Sequence, residues 1–124
     1  FIVIDSAHNP HGMSSAMKQW RNILANKSRG FMILGAVKEK NLNSFWDNIP
    51  KECILYFTKP NIQRGLPAHE LYLAAKENHF SGTACDSFSE AFQKVKTQLK
   101  INDALYIGGS TFLVADVLKM RKKF

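Results

Sequence analysis

Short apolar segments alternate along this chain with longer stretches whose apolar residues recur at helical spacing. The apolar segments have the length of buried strands, and turns rich in glycine or polar residues follow them. We predict strands over residues 1–4, 31–34, 53–57 and 104–107, with a weaker strand around 79–84.

Between these strands the spacing predicts helices. The first covers about 12–26 and is followed by a turn at 27–30, and a short second helix ends at Pro50. A third begins near Pro67, and a fourth begins at Ser87, where Ser87 and Glu90 have capping-box spacing. A last helix follows Ser110. This alternation predicts one α/β domain over 1–124, with a Rossmann-like three-layer architecture and a mostly parallel sheet.

Composition narrows the class of protein. The 124 residues are 45% apolar and 22% charged, which is ordinary for a globular domain, and no apolar run is long enough for a transmembrane helix. Cys53 and Cys85 lack metal-site or redox spacing, so we expect buried free thiols and a cytoplasmic protein. The net charge of +7 is spread along the chain, which favours solvated surface over a nucleic-acid or membrane partner. The chain starts inside a strand and without Met, which suggests a piece of a longer protein.

The most informative polar cluster lies where the first strand passes into the first helix. Asn9 and Pro10 are explained as a helix N-cap and first helical residue. Asp5 and His8 need another explanation, either as braces of the loop or as ligand-binding groups. Ligands bind outside the carboxyl ends of strands in open α/β sheets, so this junction is a candidate site.

Other candidate residues follow later strands. Ser110 comes after a Gly-Gly turn at the start of a helix, where it caps the helix, helps to bind an anion, or does both. Lys38 and Lys40 follow the second strand; they fit a solvated charged turn, with Lys38 better placed to reach a phosphate. Arg64 lies in the loop after the third strand, and its guanidinium suits a carboxylate.

Three motifs carry a resemblance to a known family. Residues 5–11, Asp-Ser-Ala-His-Asn-Pro-His, resemble the Asp-Gly-Ala-His-Asn-Pro motif that opens the C-terminal domain of folylpolyglutamate and dihydrofolate synthases, members of the Mur ligase superfamily. Residues 34–41 are similar to the family's Gly-x-x-x-Asp-Lys-Asp turn, and residues 107–118 to its closing Gly-Ser-Leu-Tyr-Leu-Val-Gly-Glu-Val pattern. Two residues depart from these motifs. Ser6 stands where the folate enzymes usually have Gly, and Glu39 stands where they often have Asp.

The resemblance implies a role for each candidate residue. It places Asp5 at the ribose of ATP and His8 near the phosphates and the incoming amino acid, as a catalytic and glutamate-binding residue. It implies that Ser110 and Arg64 bind glutamate, and the position of Lys38 after the second strand makes it the candidate for binding ATP. No residue of this chain is predicted to bind a metal.

The resemblance also implies an activity and its partners. The parent enzyme would use ATP and Mg²⁺ to join L-glutamate to a folate or to dihydropteroate through an acyl phosphate. Its phosphate loop and most Mg²⁺ ligands would lie in an N-terminal ATPase domain of the same protein, so we expect the present domain to be inactive on its own. We expect the parent enzyme to be a monomer. The alternatives are a peptidoglycan Mur ligase domain, against which the continuation Asn9-Pro10-His11 argues, and a non-catalytic nucleotide-binding module.

Overall fold

A five-stranded parallel sheet forms the centre of the computed structural model, which describes residues 1–5, 10–38, 42 and 45–120. Its strands lie in the order β1-β5-β2-β3-β4, and every pair of neighbours is parallel. The strands are β1 (Ile2–Ile4), β2 (Arg29–Leu34), β3 (Ile54–Phe57), β4 (Thr83–Ala84) and β5 (Asp103–Gly108). The predicted α/β class with a mostly parallel sheet is therefore confirmed.

Helices cover both faces of the sheet. They are α1 (Pro10–Leu24), α2 (Phe45–Asn48), α3 (Ala68–Glu77), α4 (Phe88–Lys96) and α5 (Thr111–Met120). From β1 to β4 the chain crosses the sheet in one direction, and it returns through α4 to place β5 between β1 and β2. Because parallel crossovers are right-handed, a reversal of direction puts the next helix on the opposite face.

Two apolar cores follow from this arrangement. Alternate residues of β2 point to opposite faces, so Met32 and Leu34 pack with α1, α2 and α3, while Phe31 and Ile33 pack with α4 and α5. All six residues of β5 are buried because helices cover both of its faces. No helix in the described part of the chain has the length and apolar character needed to cross a bilayer.

Several boundaries differ from the predictions. Arg29 and Gly30 belong to β2 rather than to the predicted turn, and Asp103 and Gly108 extend β5 at its two ends. In each case pairing between β2 and β5 extends the strand, since Arg29 is opposite Asp103 and Leu34 is opposite Gly108. The first helix begins at Pro10, as its assignment as the first helical residue predicts, and two residues before the start near 12 that the apolar spacing indicates.

The predicted cap of α4 is present. The backbone N–H of Glu90 donates to the Ser87 hydroxyl at 3.1 Å, and the Glu90 carboxylate accepts from the backbone N–H of Asp86 at 2.6 Å. The return bond reaches the residue before the cap rather than the cap itself. Both bonds satisfy backbone donors at the start of the helix, and the bond from Asp86 N–H holds the pKa of Glu90 below its usual value.

An ion pair joins β2 to β5 at the amino edge of the sheet. Arg29 Nη2 lies 2.8 Å from Asp103 Oδ2, and the side chain of Asp103 is only 2% exposed. Arg29 also donates to the carbonyl of Gln98 at 2.7 Å, and Asp103 accepts from the backbone N–H of Lys100 at 2.9 Å. The hydrogen bond from Arg29, opposed by burial, holds the pKa of Asp103 below its ordinary value of 3.8.

We expect Asp103→Asn to lower the free energy of unfolding by about 1–3 kcal/mol at neutral pH, because the substitution weakens several charge-assisted hydrogen bonds. Because the pKa of Asp103 is lowered by folding, its contribution to stability is complete at a pH above its ordinary pKa. The contribution is lost as the pH falls through the lowered pKa. Urea unfolding at pH 7 and pH 3 measures both effects. The variant should lose less stability than the native chain on acidification.

Lys94→Gln is the matched control, since Lys94 pairs with Glu90 on the exposed surface at 3.4 Å. We expect it to change stability by less than about 0.5 kcal/mol. Equal effects of the two substitutions would show that the Arg29–Asp103 pair does not stabilise the junction of β2 and β5.

Candidate functional site

The carboxyl ends of β1, β5, β2 and β3 form one continuous edge, which we call the carboxyl edge. Main-chain hydrogen bonds extend past the strands there: Asp5 N–H donates to Ile107, Gly35 N–H to Gly108, and Thr58 N–H to Leu34, at 3.0–3.2 Å. Asp5, Ser110, Lys38 and Arg64 all follow strands that end at this edge. The structure thus brings the described candidates to one side of the molecule.

Asp5 follows the last residue of β1 and is partly buried. Its carbonyl oxygen would lie 2.7 Å from a Cβ placed on Gly108, so its main chain packs closely against the end of β5. The absence of a side chain at Gly108 makes this approach possible. His8 lies outside the described residues, as does the rest of the segment 6–9.

Ser110 occupies the residue before α5, in the position predicted for a helix cap. The backbone N–H of Val114 donates to its carbonyl at 3.2 Å, as expected at a helix start. The preceding residue, Gly109, has φ +94°, and a Cβ there would lie 2.7 Å from the carbonyl oxygen of Gly35. Only glycine fits this turn without strain. Ser110 itself is buried, with only 3% of its surface exposed.

Lys38 and Arg64 are brought together by a short antiparallel bridge between two loops. Val37 pairs with Gly65, Lys38 N–H donates to the carbonyl of Arg64 at 2.8 Å, and Leu66 N–H donates to that of Ala36 at 2.8 Å. This register sets Lys38 directly opposite Arg64. Directly opposed residues have Cβ atoms about 5 Å apart and side chains on the same face, and like charges there are unfavourable.

Both side chains of this cation pair are exposed. Two cations held side by side by their main chains form a natural contact for a ligand with two anionic groups or for one multivalent anion. Strands β5 and β2 lie between β1 and β3, so Asp5 and the loop of Arg64 follow strands that are about 14 Å apart, from a strand spacing near 4.8 Å. The edge therefore offers a carboxylate at one end and two cations at the other.

The loop that carries Arg64 is fastened to α5. Asn61 N–H donates to the Asp116 carboxylate at 2.8 Å, and Gly65 N–H donates to the carbonyl of Ile62 at 3.0 Å. A cleft of about 500 Å³ lies beside this loop, and its lining includes Lys59 and Lys119. The fastening holds the main chain of the Arg64 loop against the body of the domain.

Two buried hydroxyls at the carboxyl edge were not among the sequence candidates. Tyr106 and Thr58 are both 0% exposed, and within the described part of the chain their hydroxyls have no hydrogen-bond partner. Nothing in the sequence distinguishes them, because Tyr106 lies within an apolar strand and Thr58 at the end of another. A hydroxyl retained without a partner in a buried position deserves a physical explanation.

The two cysteines are buried and free, as predicted. Burial raises the pKa of Cys53 to about 11 and also raises that of Cys85, so neither thiol is a ready nucleophile. Within the described ranges, no group of three or more His, Cys, Asp or Glu residues is arranged to hold a metal ion.

Comparison with protein families identifies the class of this domain. The model described as "Mur ligase, glutamate ligase domain" matches residues 1–111. The chain belongs to this family. No curated protein sequence matches the chain.

Solved structures of folate ligases share the fold of this glutamate ligase domain. E. coli FolC in complex with DHPP and ADP matches with a TM-score of 0.79 and 20% identity over 98% of this chain and 28% of its own. Mycobacterium tuberculosis folylpolyglutamate synthase complexed with ADP matches with a TM-score of 0.82 and 18% identity over 96% of this chain and 29% of its own.

A bifunctional folylpolyglutamate synthase/dihydrofolate synthase with Mn, AMPPNP and L-glutamate bound matches with a TM-score of 0.82 and 19% identity, over 98% of this chain and 29% of its own. The TM-scores of these matches establish a common fold. The present chain spans less than a third of the length of each of these structures.

Proposed function

We propose that this domain binds L-glutamate and closes over ATP in a ligase that adds glutamate to a folate or to dihydropteroate. ATP would phosphorylate the acceptor carboxylate, and the amine of glutamate would then displace phosphate from the acyl phosphate. The observation that carries the proposal is the carboxyl edge of a glutamate ligase domain, with Asp5 at one end and the Lys38–Arg64 pair at the other.

The cation pair fits the anions of this reaction. L-glutamate carries two carboxylates, and ATP and the acyl phosphate carry phosphoryl oxygens. In our proposal Arg64 binds a glutamate carboxylate, for which its planar guanidinium is suited, and Lys38 contacts phosphate as a point charge. An anion bound between them would interact favourably with both positive charges.

Asp5 fits the sugar of the nucleotide. A carboxylate accepts hydrogen bonds from a ribose diol without any proton transfer. We assign to His8, which lies outside the described residues, the catalytic role implied by its motif, near the phosphates and the amine of glutamate. Similar structures support nucleotide and amino-acid ligands, since one contains ADP and another contains Mn, AMPPNP and L-glutamate.

The metal would be held mainly by residues other than those described here. Among the described residues none form a cluster of three metal ligands, whereas ATP-dependent ligation needs Mg²⁺ to neutralise the phosphates. The proposed contribution of this domain is therefore to bind glutamate and the ribose and to exclude water from the acyl phosphate when the domains close.

The test is a ligation assay with the full-length protein that contains this chain. With Mg·ATP, L-glutamate and either dihydropteroate or tetrahydrofolate, we expect release of phosphate and a product heavier by one glutamate residue, measured by mass spectrometry. D-glutamate and L-aspartate are the matched controls and should give little product. Product formed only from a peptidoglycan precursor would favour the Mur ligase alternative, and ATP binding without turnover on any acceptor would favour a nucleotide-binding module.

Substitutions of Ser110 separate helix capping from contact with glutamate. Ser110→Ala removes the hydroxyl and a good cap, whereas Ser110→Gly removes the hydroxyl but costs only a few tenths of a kcal/mol in capping. If the hydroxyl binds glutamate, both variants should raise the KM for glutamate by a similar factor, about five- to tenfold, although Ser110→Ala is less stable. Steady-state kinetics at saturating ATP and thermal melts measure the two quantities.

Ser87→Ala is the control, because Ser87 caps α4 through its hydroxyl and was not a candidate for glutamate binding. It should lower the melting temperature and leave the KM for glutamate unchanged. An unchanged KM in both Ser110 variants would show that Ser110 is a cap and that glutamate is bound elsewhere on the edge.

A further inference from the structure

Tyr106 belongs to an inner strand of the sheet, and its hydroxyl lies close to the proposed nucleotide site. It belongs to β5, which is paired on both sides, and its ring packs against Trp20 of α1 with centroids 5.6 Å apart. A Cβ placed on Gly108 would lie 2.8 Å from Tyr106 Cε1 and 2.9 Å from its hydroxyl oxygen. The ring therefore leans along β5 towards the carboxyl edge, and its hydroxyl lies above Gly108.

Among the residues that the structure describes, none is a hydrogen-bond partner of this hydroxyl, although Tyr106 is 0% exposed. A buried polar group without a partner loses its hydrogen bonds to water and gains none in return, which is unfavourable. Phenylalanine would fill the same space beside Trp20 without this penalty. The hydroxyl is therefore unfavourable for the ligand-free fold, and a partner supplied in another state of the protein would compensate for it.

The neighbour of this hydroxyl at the edge is Asp5. Both the Tyr106 hydroxyl and the Asp5 carbonyl oxygen lie close to the position that a Cβ on Gly108 would occupy. The hydroxyl is 2.9 Å from that position, and the carbonyl oxygen is 2.7 Å from it. Burial, with a smaller contribution from the negative charge of Asp5, raises the pKa of Tyr106. The phenol thus remains protonated at neutral pH and keeps a hydrogen to donate.

We infer that Tyr106 is a positioning residue for Asp5: in the nucleotide-bound protein its hydroxyl donates to the Asp5 carboxylate and directs the remaining lone pairs of that group towards the ribose diol. The inference rests on the proposed function, because it deepens the role given to Asp5. Tyr106 itself contacts no ligand in this account. Its effect is confined to the hydroxyls of the sugar and does not extend to the phosphates or to glutamate.

The ribose hydroxyls provide a direct test. In the full-length protein, equilibrium titration gives the Kd for ATP and for 2′,3′-dideoxy-ATP, which offers Asp5 no hydroxyl. We expect the native protein to prefer ATP, and Asp5→Ala to abolish that preference. Tyr106→Phe should weaken ATP binding by about tenfold and leave the Kd for 2′,3′-dideoxy-ATP unchanged, as expected for the loss of one hydrogen bond to a charged group.

A purely structural role for the hydroxyl predicts another pattern. Tyr106→Phe would then change the Kd values for ATP and 2′,3′-dideoxy-ATP by the same factor, or change neither. Only the melting temperature would distinguish the variant from the native protein in the second case. The double variant Asp5→Ala/Tyr106→Phe extends the test, because an indirect role requires Tyr106→Phe to have no further effect once Asp5 is absent.

Tyr56→Phe is the matched control on the other face of the sheet. Tyr56 is also buried, but its hydroxyl accepts a hydrogen bond from Gln98 Nε2 at 2.6 Å. Its removal should lower the melting temperature and leave the preference for ATP unchanged.

The outcomes separate the inference from the proposed function. An unchanged ATP preference in Asp5→Ala would overturn both the ribose role of Asp5 and the inference. Loss of the preference in Asp5→Ala with full retention in Tyr106→Phe would overturn the inference alone.

Discussion

The position of β5 between β1 and β2 is the constraint on which the rest of the structure depends. This strand is buried on both faces and hydrogen-bonded on both sides, so it sets the register of β1 and β2 together. Because all strands are parallel, that register also aligns their carboxyl ends. Asp5, Gly35 and Gly108 are joined there by main-chain hydrogen bonds or close contacts, and the candidate residues follow from these points.

The two edges of the sheet have different chemistry. At the amino edge, Arg29 and Asp103 form an ion pair and hydrogen-bond to neighbouring main-chain groups. The charges there therefore stabilise the fold. At the carboxyl edge, Lys38 and Arg64 are set opposite each other, and the hydroxyl of Tyr106 is buried without a partner among the described residues. A buried hydroxyl without a partner is unfavourable in the folded domain alone. It is consistent with an edge shaped by ligands, as expected where function opposes stability.

Much of the fold could be predicted from the sequence because its signals are local. Alternating apolar strands and amphipathic helices indicate a parallel sheet, and Ser87 with Glu90 marks the start of α4. The ends of β2 and β5 could not be predicted, since Arg29 and Asp103 are polar and become strand residues only by pairing with each other. The motifs predict Asp5 and Ser110 as site residues, and both follow strands that end at the carboxyl edge. The pairing of Lys38 with Arg64 and the approach of Tyr106 to Asp5 depend on contacts between segments far apart in sequence, which no local pattern records.

The central claim is that the carboxyl edge of the sheet is the surface that binds nucleotide and glutamate. Hydrogen–deuterium exchange of the full-length protein, with and without ADP and L-glutamate, tests it most directly. We predict that ligands slow exchange in 35–38, 58–66 and 108–110, and leave exchange unchanged at the amino edge, in 28–30, 51–54 and 100–103. Protection confined to the amino edge, or equal protection of both edges, would contradict the account.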